Sequence, residues 1–144
     1  MKSNQTAPLK MREVKREWHL LDADNQVLGR LAEKIAKLLM GKNKVTQYPN
    51  LDSGDCVVVT NIKGVKVSGG KEEKKVYYRY SGYPGGLKSE TYGKLFSRKP
   101  EDVLRIAVKG MLPENKLLSE RLARLHIYKD DKYPQKVKFV NIAK

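Results

Sequence analysis

The stretch Leu28-Gly29-Arg30-Leu31-Ala32-Glu33-Lys34-Ile35-Ala36-Lys37-Leu38-Leu39-Met40 decides the fold class. Leu28, Leu31, Ala32, Ile35 and Leu39 recur at helical spacing, while Arg30, Glu33, Lys34 and Lys37 fall on the opposite face. Gly41 supplies a stop signal. Before this helix, Trp18-His19-Leu20-Leu21 reads as a short strand ended by the turn formers Asp22, Asp24 and Asn25. After it, Asp52-Ser53-Gly54-Asp55 reads as a loop. Cys56-Val57-Val58-Val59-Thr60-Asn61 follows, a β-branched run of the kind expected in a strand covered on both faces. Parallel strands need a crossover, and the helix is placed to be one. The expectation is an α/β layered domain with a small, largely parallel sheet.

Further along, Ile62 to Val67 alternates around Gly64 and predicts a turn and a short strand. Ser68-Gly69-Gly70-Lys71 reads as a hairpin turn. Val76 to Tyr80 predicts a strand running into a bend at Tyr83-Pro84-Gly85-Gly86. Ser89 to Ser97 reads as a helix with Leu95 and Phe96 inward. Pro100-Glu101-Asp102 opens a clearer helix, with proline in the first turn and acids at the positive end of the dipole. Its apolar face is Val103, Leu104, Ala107 and Val108, and Gly110 is its expected stop, with Met111 and Leu112 folded into the core. Lys116 to Leu125 repeats the amphipathic pattern. Ile127-Tyr128 is the expected final strand. The implied organisation is a basic N-terminal arm at 1–16, a single α/β domain at 17–128, and a loosely held basic tail at 129–144.

The chain has 144 residues and a formal charge of +14. Residues 1–72 carry 13 basic and 8 acidic side chains, and residues 73–144 carry 17 and 8. The charge therefore belongs to the folded body. Such a field attracts polyanions by neutralising phosphates and releasing their counterions. A membrane surface fits less well, because no segment joins a basic face to exposed Trp or Phe. Cys56 is the only cysteine, so no intrachain disulfide and no cysteine-based metal cluster is available. Its apolar neighbours suggest a buried thiol in a reducing compartment.

Catalytic chemistry finds little support. His19 and His126 each sit in a short apolar run and read as structural, and neither has the spacing of a zinc site. Asp52 and Asp55 flank Ser53-Gly54 and read as turn or cap residues. Ser68-Gly69-Gly70-Lys71 lacks the upstream glycine and the following Ser or Thr of a Walker loop.

The tract Tyr77-Tyr78-Arg79-Tyr80-Ser81-Gly82-Tyr83-Pro84-Gly85-Gly86-Leu87-Lys88 concentrates four of the eight tyrosines beside paired glycines. It suits a surface that stacks on bases and touches phosphates, and equally a turn that carries core tyrosines. Strand alternation divides it, since Tyr77, Arg79 and Tyr80 cannot all share one face. At least one of these tyrosines should be core. Ala107-Val108-Lys109-Gly110-Met111-Leu112-Pro113 is the second notable string, with Lys109, Lys116, Arg121 and Arg124 near it.

Trp18, Leu28-Gly29-Arg30-Leu31-Ala32, Ser53-Gly54-Asp55, the Val76 to Lys88 tract and Val108-Lys109-Gly110-Met111-Leu112-Pro113-Glu114-Asn115-Lys116-Leu117 occur in this order and spacing. In these strings the chain closely resembles the large-subunit ribosomal protein thirteen family in its bacterial form. The resemblance covers roughly residues 14–128. It implies a three-layer α/β/α fold with a mostly parallel four-stranded sheet. It also implies a non-enzymatic structural constituent of the large ribosomal subunit that binds large-subunit ribosomal RNA early in assembly. Neighbouring large-subunit proteins are the other implied partners. No cofactor, metal, membrane or small-molecule substrate is expected. The expected location is the cytoplasm, in the large ribosomal subunit, with an organelle ribosome as the alternative. The chain departs from the family's usual pattern at Asn43 and Asn50, where histidine is usual. It departs also at Tyr80, at Leu118 and in the tail from Lys129.

The expected aromatic and basic patch is Tyr78, Arg79, Tyr80, Tyr83, Gly85, Gly86 and Lys88. Backbone contacts are expected from Arg30, Lys42, Lys44, Lys71, Lys74, Lys75, Arg98, Lys99, Lys109, Lys116, Arg121 and Arg124. Two rival readings are a free-standing nucleic-acid-binding module and a nucleotide-using enzyme. The missing Walker and dinucleotide fingerprints count against the enzyme.

Overall fold

The computed structural model describes residues 14–45, 47–48 and 50–143, with side chains described through residue 140. The arm expected at 1–16 falls largely outside the described residues.

Strand β1 (Trp18–Asp22), helix α1 (Leu28–Met40) and strand β2 (Cys56–Thr60) form the expected crossover unit. The two strands pair in parallel, with Trp18 opposite Cys56 and Asp22 opposite Thr60. Leu31, Ala32, Ile35 and Leu39 of α1 are completely buried. Gly41 ends the helix at φ 72°, returning its N–H to the carbonyls of Leu38 and Lys37. That left-handed conformation is what selects glycine after the last turn. Val57, Val58 and Val59 have no exposed surface, so β2 is covered on both faces as its composition predicts.

The remaining elements are a 3-10 turn (Ile62–Gly64), where only an isolated bridge from Lys66 to Val27 stands in for the expected short strand, α2 (Lys71–Lys74), β3 (Val76–Tyr80), β4 (Leu87–Thr91), α3 (Tyr92–Arg98), α4 (Pro100–Met111), α5 (Leu118–Ala123), β5 (Leu125–Ile127) and β6 (Phe139–Ala143). The main sheet has the order β5-β2-β1-β6, and every pair in it is parallel. Helices complete a three-layer α/β/α arrangement around a core that includes Leu31, Ile35, Val57, Val59, Leu104 and Val108.

Several expectations need correction. Ser68-Gly69-Gly70-Lys71 is not a hairpin turn: Gly69 and Gly70 have positive φ and lead into the one-turn helix α2. The hairpin lies instead between β3 and β4, which pair antiparallel as a separate two-stranded ribbon. Leu87 to Thr91 is therefore strand, and the helix expected from Ser89 begins only at Tyr92. The partner that β3 needs comes from its own C-terminal side, because the glycine-rich loop turns the chain back at once. Gly110 does not stop α4, which runs one residue further to Met111. Leu112 is buried, but Met111 is 43% exposed and lies outside the core. The segment expected to be loosely held supplies β6, which pairs with β1 and completes the sheet.

Candidate nucleic-acid interface

The β3–β4 ribbon stands apart from the main sheet, and its register separates two chemistries. Tyr77 faces Glu90 and Arg79 faces Lys88, whereas Tyr78 faces Ser89 and Tyr80 faces Leu87. Side chains on successive strand residues point to opposite faces. Tyr77 is half-buried and packs against the core, which turns its face toward the helices. Burial pushes its phenol pKa upward. Lys75 lies over its ring, 5.1 Å from the centroid. Glu90, on the same face, accepts a hydrogen bond from Arg98 of α3 at 2.8 Å. The opposite face presents Tyr78, Tyr80 and Leu87 at 69%, 64% and 62% exposure, with Tyr83 at 76% in the loop. Of the four clustered tyrosines, one is thus an anchor and three are exposed.

The loop from Ser81 to Gly86 explains its own glycines. Gly82 and Gly85 hold φ of 89° and 71°, where a side chain is strained. A Cβ on Gly86 would lie 2.9 Å from the backbone carbonyl oxygen of Tyr83 and would displace the Ser81 hydroxyl. The Gly86 N–H donates to the Tyr83 carbonyl at 2.9 Å, and the Ser81 N–H to the Gly86 carbonyl at 3.2 Å. These glycines are required to close the turn, whatever else they touch.

Between the ribbon and helices α3 and α4 lies a cleft of about 890 Å³. It gathers Tyr78, Arg79, Lys88, Arg98 and Lys109 from the expected residues, and adds Lys94 and Arg105, which the sequence did not single out. Arg30, Lys42, Lys71, Lys74, Lys99 and Lys116 are exposed on other parts of the surface, and Lys71 and Lys75 border a second groove beside Gly29, Ile106 and Met111.

Three expected contact residues are turned inward. Arg124 binds both oxygens of Asp52, and its guanidinium also reaches the Leu39 carbonyl at 3.3 Å and the Asp55 carbonyl at 3.4 Å. Arg121 is buried with its Nε 3.5 Å from Asp52 Oδ1. Lys44 donates to Asp55 Oδ1, to the Ser53 carbonyl at 3.0 Å and to the Lys15 carbonyl at 2.7 Å. Asp52 is completely buried, and Asp55 nearly so. Burial alone would raise the pKa of Asp55, but hydrogen bonds from Lys44, the Glu17 N–H and His19 outweigh it and hold the carboxyl below its ordinary value. An ionised carboxylate only accepts, so His19 Nε2 donates across the 3.1 Å contact.

The loop that reads as a simple turn is therefore a buried charge hub. The one available sequence signal was the pair of aspartates beside an apolar strand, with no sequence-local basic partner. Glu17, His19 and Asp55 bring three potential metal-ligand atoms within 4.8 Å, yet the Lys44 ammonium already sits on Asp55. His126 stacks on Trp18 with centroids 5.6 Å apart. Burial, aided by Arg105, lowers its pKa, which suits a structural role. Burial likewise raises the Cys56 thiol pKa, leaving it a poor nucleophile.

The family described as Ribosomal protein L13 matches residues 16–134. The chain belongs to this family. Proteins named large ribosomal subunit protein uL13 match along most of their length. That of Geobacter sulfurreducens is 49% identical over 134 residues, covering 93% of this chain and 92% of the relative. That of Roseiflexus castenholzii is 51% identical over 125 residues, covering 87% and 86%. That of Syntrophus aciditrophicus is 50% identical over 123 residues, covering 85% and 87%. The L13 family match spans β1 through β5 and takes in the ribbon, the cleft and the charge hub. Its members are structural, non-enzymatic constituents of the ribosome.

Proposed function

We propose that this chain binds large-subunit ribosomal RNA and helps the subunit assemble, holding RNA segments in place without chemistry. The observation that carries the reading is the ribbon, where three exposed tyrosines share a short hairpin with Arg79 and Lys88. A monomer gains no stability from leaving large aromatic rings in water. Unstacked bases and phosphates are the ligands that such a surface suits. The distributed charge of +14 supplies the sequence-independent part of the affinity.

In this reading Tyr78, Tyr80 and Tyr83 stack, Arg79 and Lys88 neutralise phosphate, and Gly85 and Gly86 shape the turn that presents them. Arg30, Lys42, Lys71, Lys74, Lys75, Arg98, Lys99, Lys109 and Lys116 supply backbone contacts. Lys44, Arg121 and Arg124 instead hold the domain together. The partners in this reading are large-subunit RNA and adjacent large-subunit proteins, met in the cytoplasm.

Sedimentation of cell extract at low salt tests the reading. The protein should travel with the large subunit. A protein that stays at the top of the gradient would sink it and favour a free-standing nucleic-acid-binding module.

A further inference from the structure

The cleft between the ribbon and α4 is a built site. On α4, Asp102, Arg105, Ile106 and Lys109 fall at the spacing that places side chains on one helix face, and all four line the cleft. Arg105 and Lys109 are separated by about 6 Å of helical rise, comparable to the step between successive phosphates of one strand. The ribbon supplies Arg79 and Lys88 as the facing wall, directly opposite each other across the two strands. Lys94 and Arg98 of α3 also line it. Two acids, Glu90 and Asp102, also border the space, and Glu90 is held by Arg98. Six basic groups against two acids leave the walls strongly cationic. The lining is not all charged: Ile106, 44% exposed, and the half-buried Tyr77 supply an apolar floor.

We propose that this cleft seats an unpaired RNA strand, with one unstacked base on the Ile106 floor and its flanking phosphates on the two basic walls. The proposal rests on the RNA-binding reading above and specifies the RNA class. A cleft of about 890 Å³ lies within the roughly 300–1,000 Å³ typical of sites for small ligands. A nucleotide or two enters such a space; an intact A-form duplex rides over its rim with its base edges out of reach. Charge complementarity favours RNA over a protein segment as the occupant.

The test uses the full chain with a fluorescent single-stranded RNA of about ten nucleotides, the same sequence as a duplex, and full-length large-subunit RNA. The single strand should bind more tightly than the duplex. Arg105→Ala and Lys109→Ala should each flatten its salt slope by about 0.7. Ile106→Ser should weaken binding several-fold at unchanged slope. Lys34→Ala, on the exposed face of α1, should alter neither quantity. Equal binding of duplex, or equal damage from Lys34→Ala and Arg105→Ala, overturns the cleft assignment. Retained binding to full-length RNA in that case leaves the broader reading standing. Loss of all three RNAs removes both.

Discussion

Arg124 closes a fork on Asp52, with Nη2 2.7 Å from Oδ1 and Nη1 bonded to Oδ2, although the two residues are 72 positions apart. The pair joins the residue before β5 to the loop before β2, and its reach to the Leu39 carbonyl adds the end of α1. A bidentate Arg–carboxylate pair has fixed geometry as well as charge. Removing one partner strands a buried charge. Asp52→Asn should therefore lower unfolding free energy by about 3–5 kcal/mol, read from the urea midpoint at unchanged m-value. A loss below about 1 kcal/mol would show that the pair behaves like an exposed one.

Asp55 predicts an acid limb. Its carboxyl pKa is lower folded than unfolded, so it adds stability above its ordinary value of 3.8, and that contribution is lost as pH falls through the folded value. The Asp55 contribution to the urea midpoint should be flat above about pH 5 and fall below about pH 4, whereas His126, whose pKa folding lowers, adds a separate decline on the acid side of its ordinary value of 6.5. In Asp55→Asn, a less stable protein, this fall should be shallower. An unchanged limb would assign acid sensitivity to other carboxylates.

Gly54 is fixed by space. A Cβ there would sit 1.8 Å from the Leu39 carbonyl oxygen, which is backbone and has little freedom to retreat. Gly54→Ala should cost at least the ~1–3 kcal/mol typical of overpacking, and the soluble yield of the variant should drop with its melting temperature. A wild-type melting temperature would mean that α1 and the loop separate easily.

The two faces of the ribbon should respond differently. Tyr78→Ala should leave stability within about 0.5 kcal/mol while weakening RNA binding by ~1–3 kcal/mol. Tyr77→Ala should lower stability, because that ring packs on the core. Thermal melts and filter binding on both variants separate the two effects; matched losses in the two assays would contradict the division.

Arg79→Ala combined with Lys88→Ala should reduce RNA affinity and flatten the salt slope by roughly one unit per lost phosphate contact. The affinity of the double variant is measured across a salt series. An unchanged slope would remove both residues from phosphate contact.

The parts of the fold that were legible in the sequence are those governed by local periodicity. Leu28 to Met40 declares its face within four turns, and Val57 to Val59 declare a strand covered on both sides. What escaped depends on pairing at a distance. Phe139 to Ala143 is a short run inside a basic segment, and only the free edge of β1 makes it a strand. Leu87 to Thr91 carries polar residues that are compatible with a helix until β3 is supplied as a partner. The same reason hid the charge hub: Asp52 meets Arg121 and Arg124 only after β2 and β5 lie side by side. Arg121 and Arg124 accordingly looked like surface cations. For the candidate interface, the tyrosine tract and its division by strand alternation are readable from the sequence, but Arg105 joins them only because α4 borders the same cleft as the ribbon.

The sheet order carries a consequence for biogenesis. β6 pairs with β1, yet residues 23 to 138 are made between them. During synthesis the outer edge of β1 therefore exists before the strand that covers it. An uncovered edge is a template for pairing with another chain. A nascent chain of this design is most exposed to self-association after β1, β2 and β5 have formed and before Phe139 arrives. The short length of β1 and the charge of the surrounding chain are the protections available during that interval.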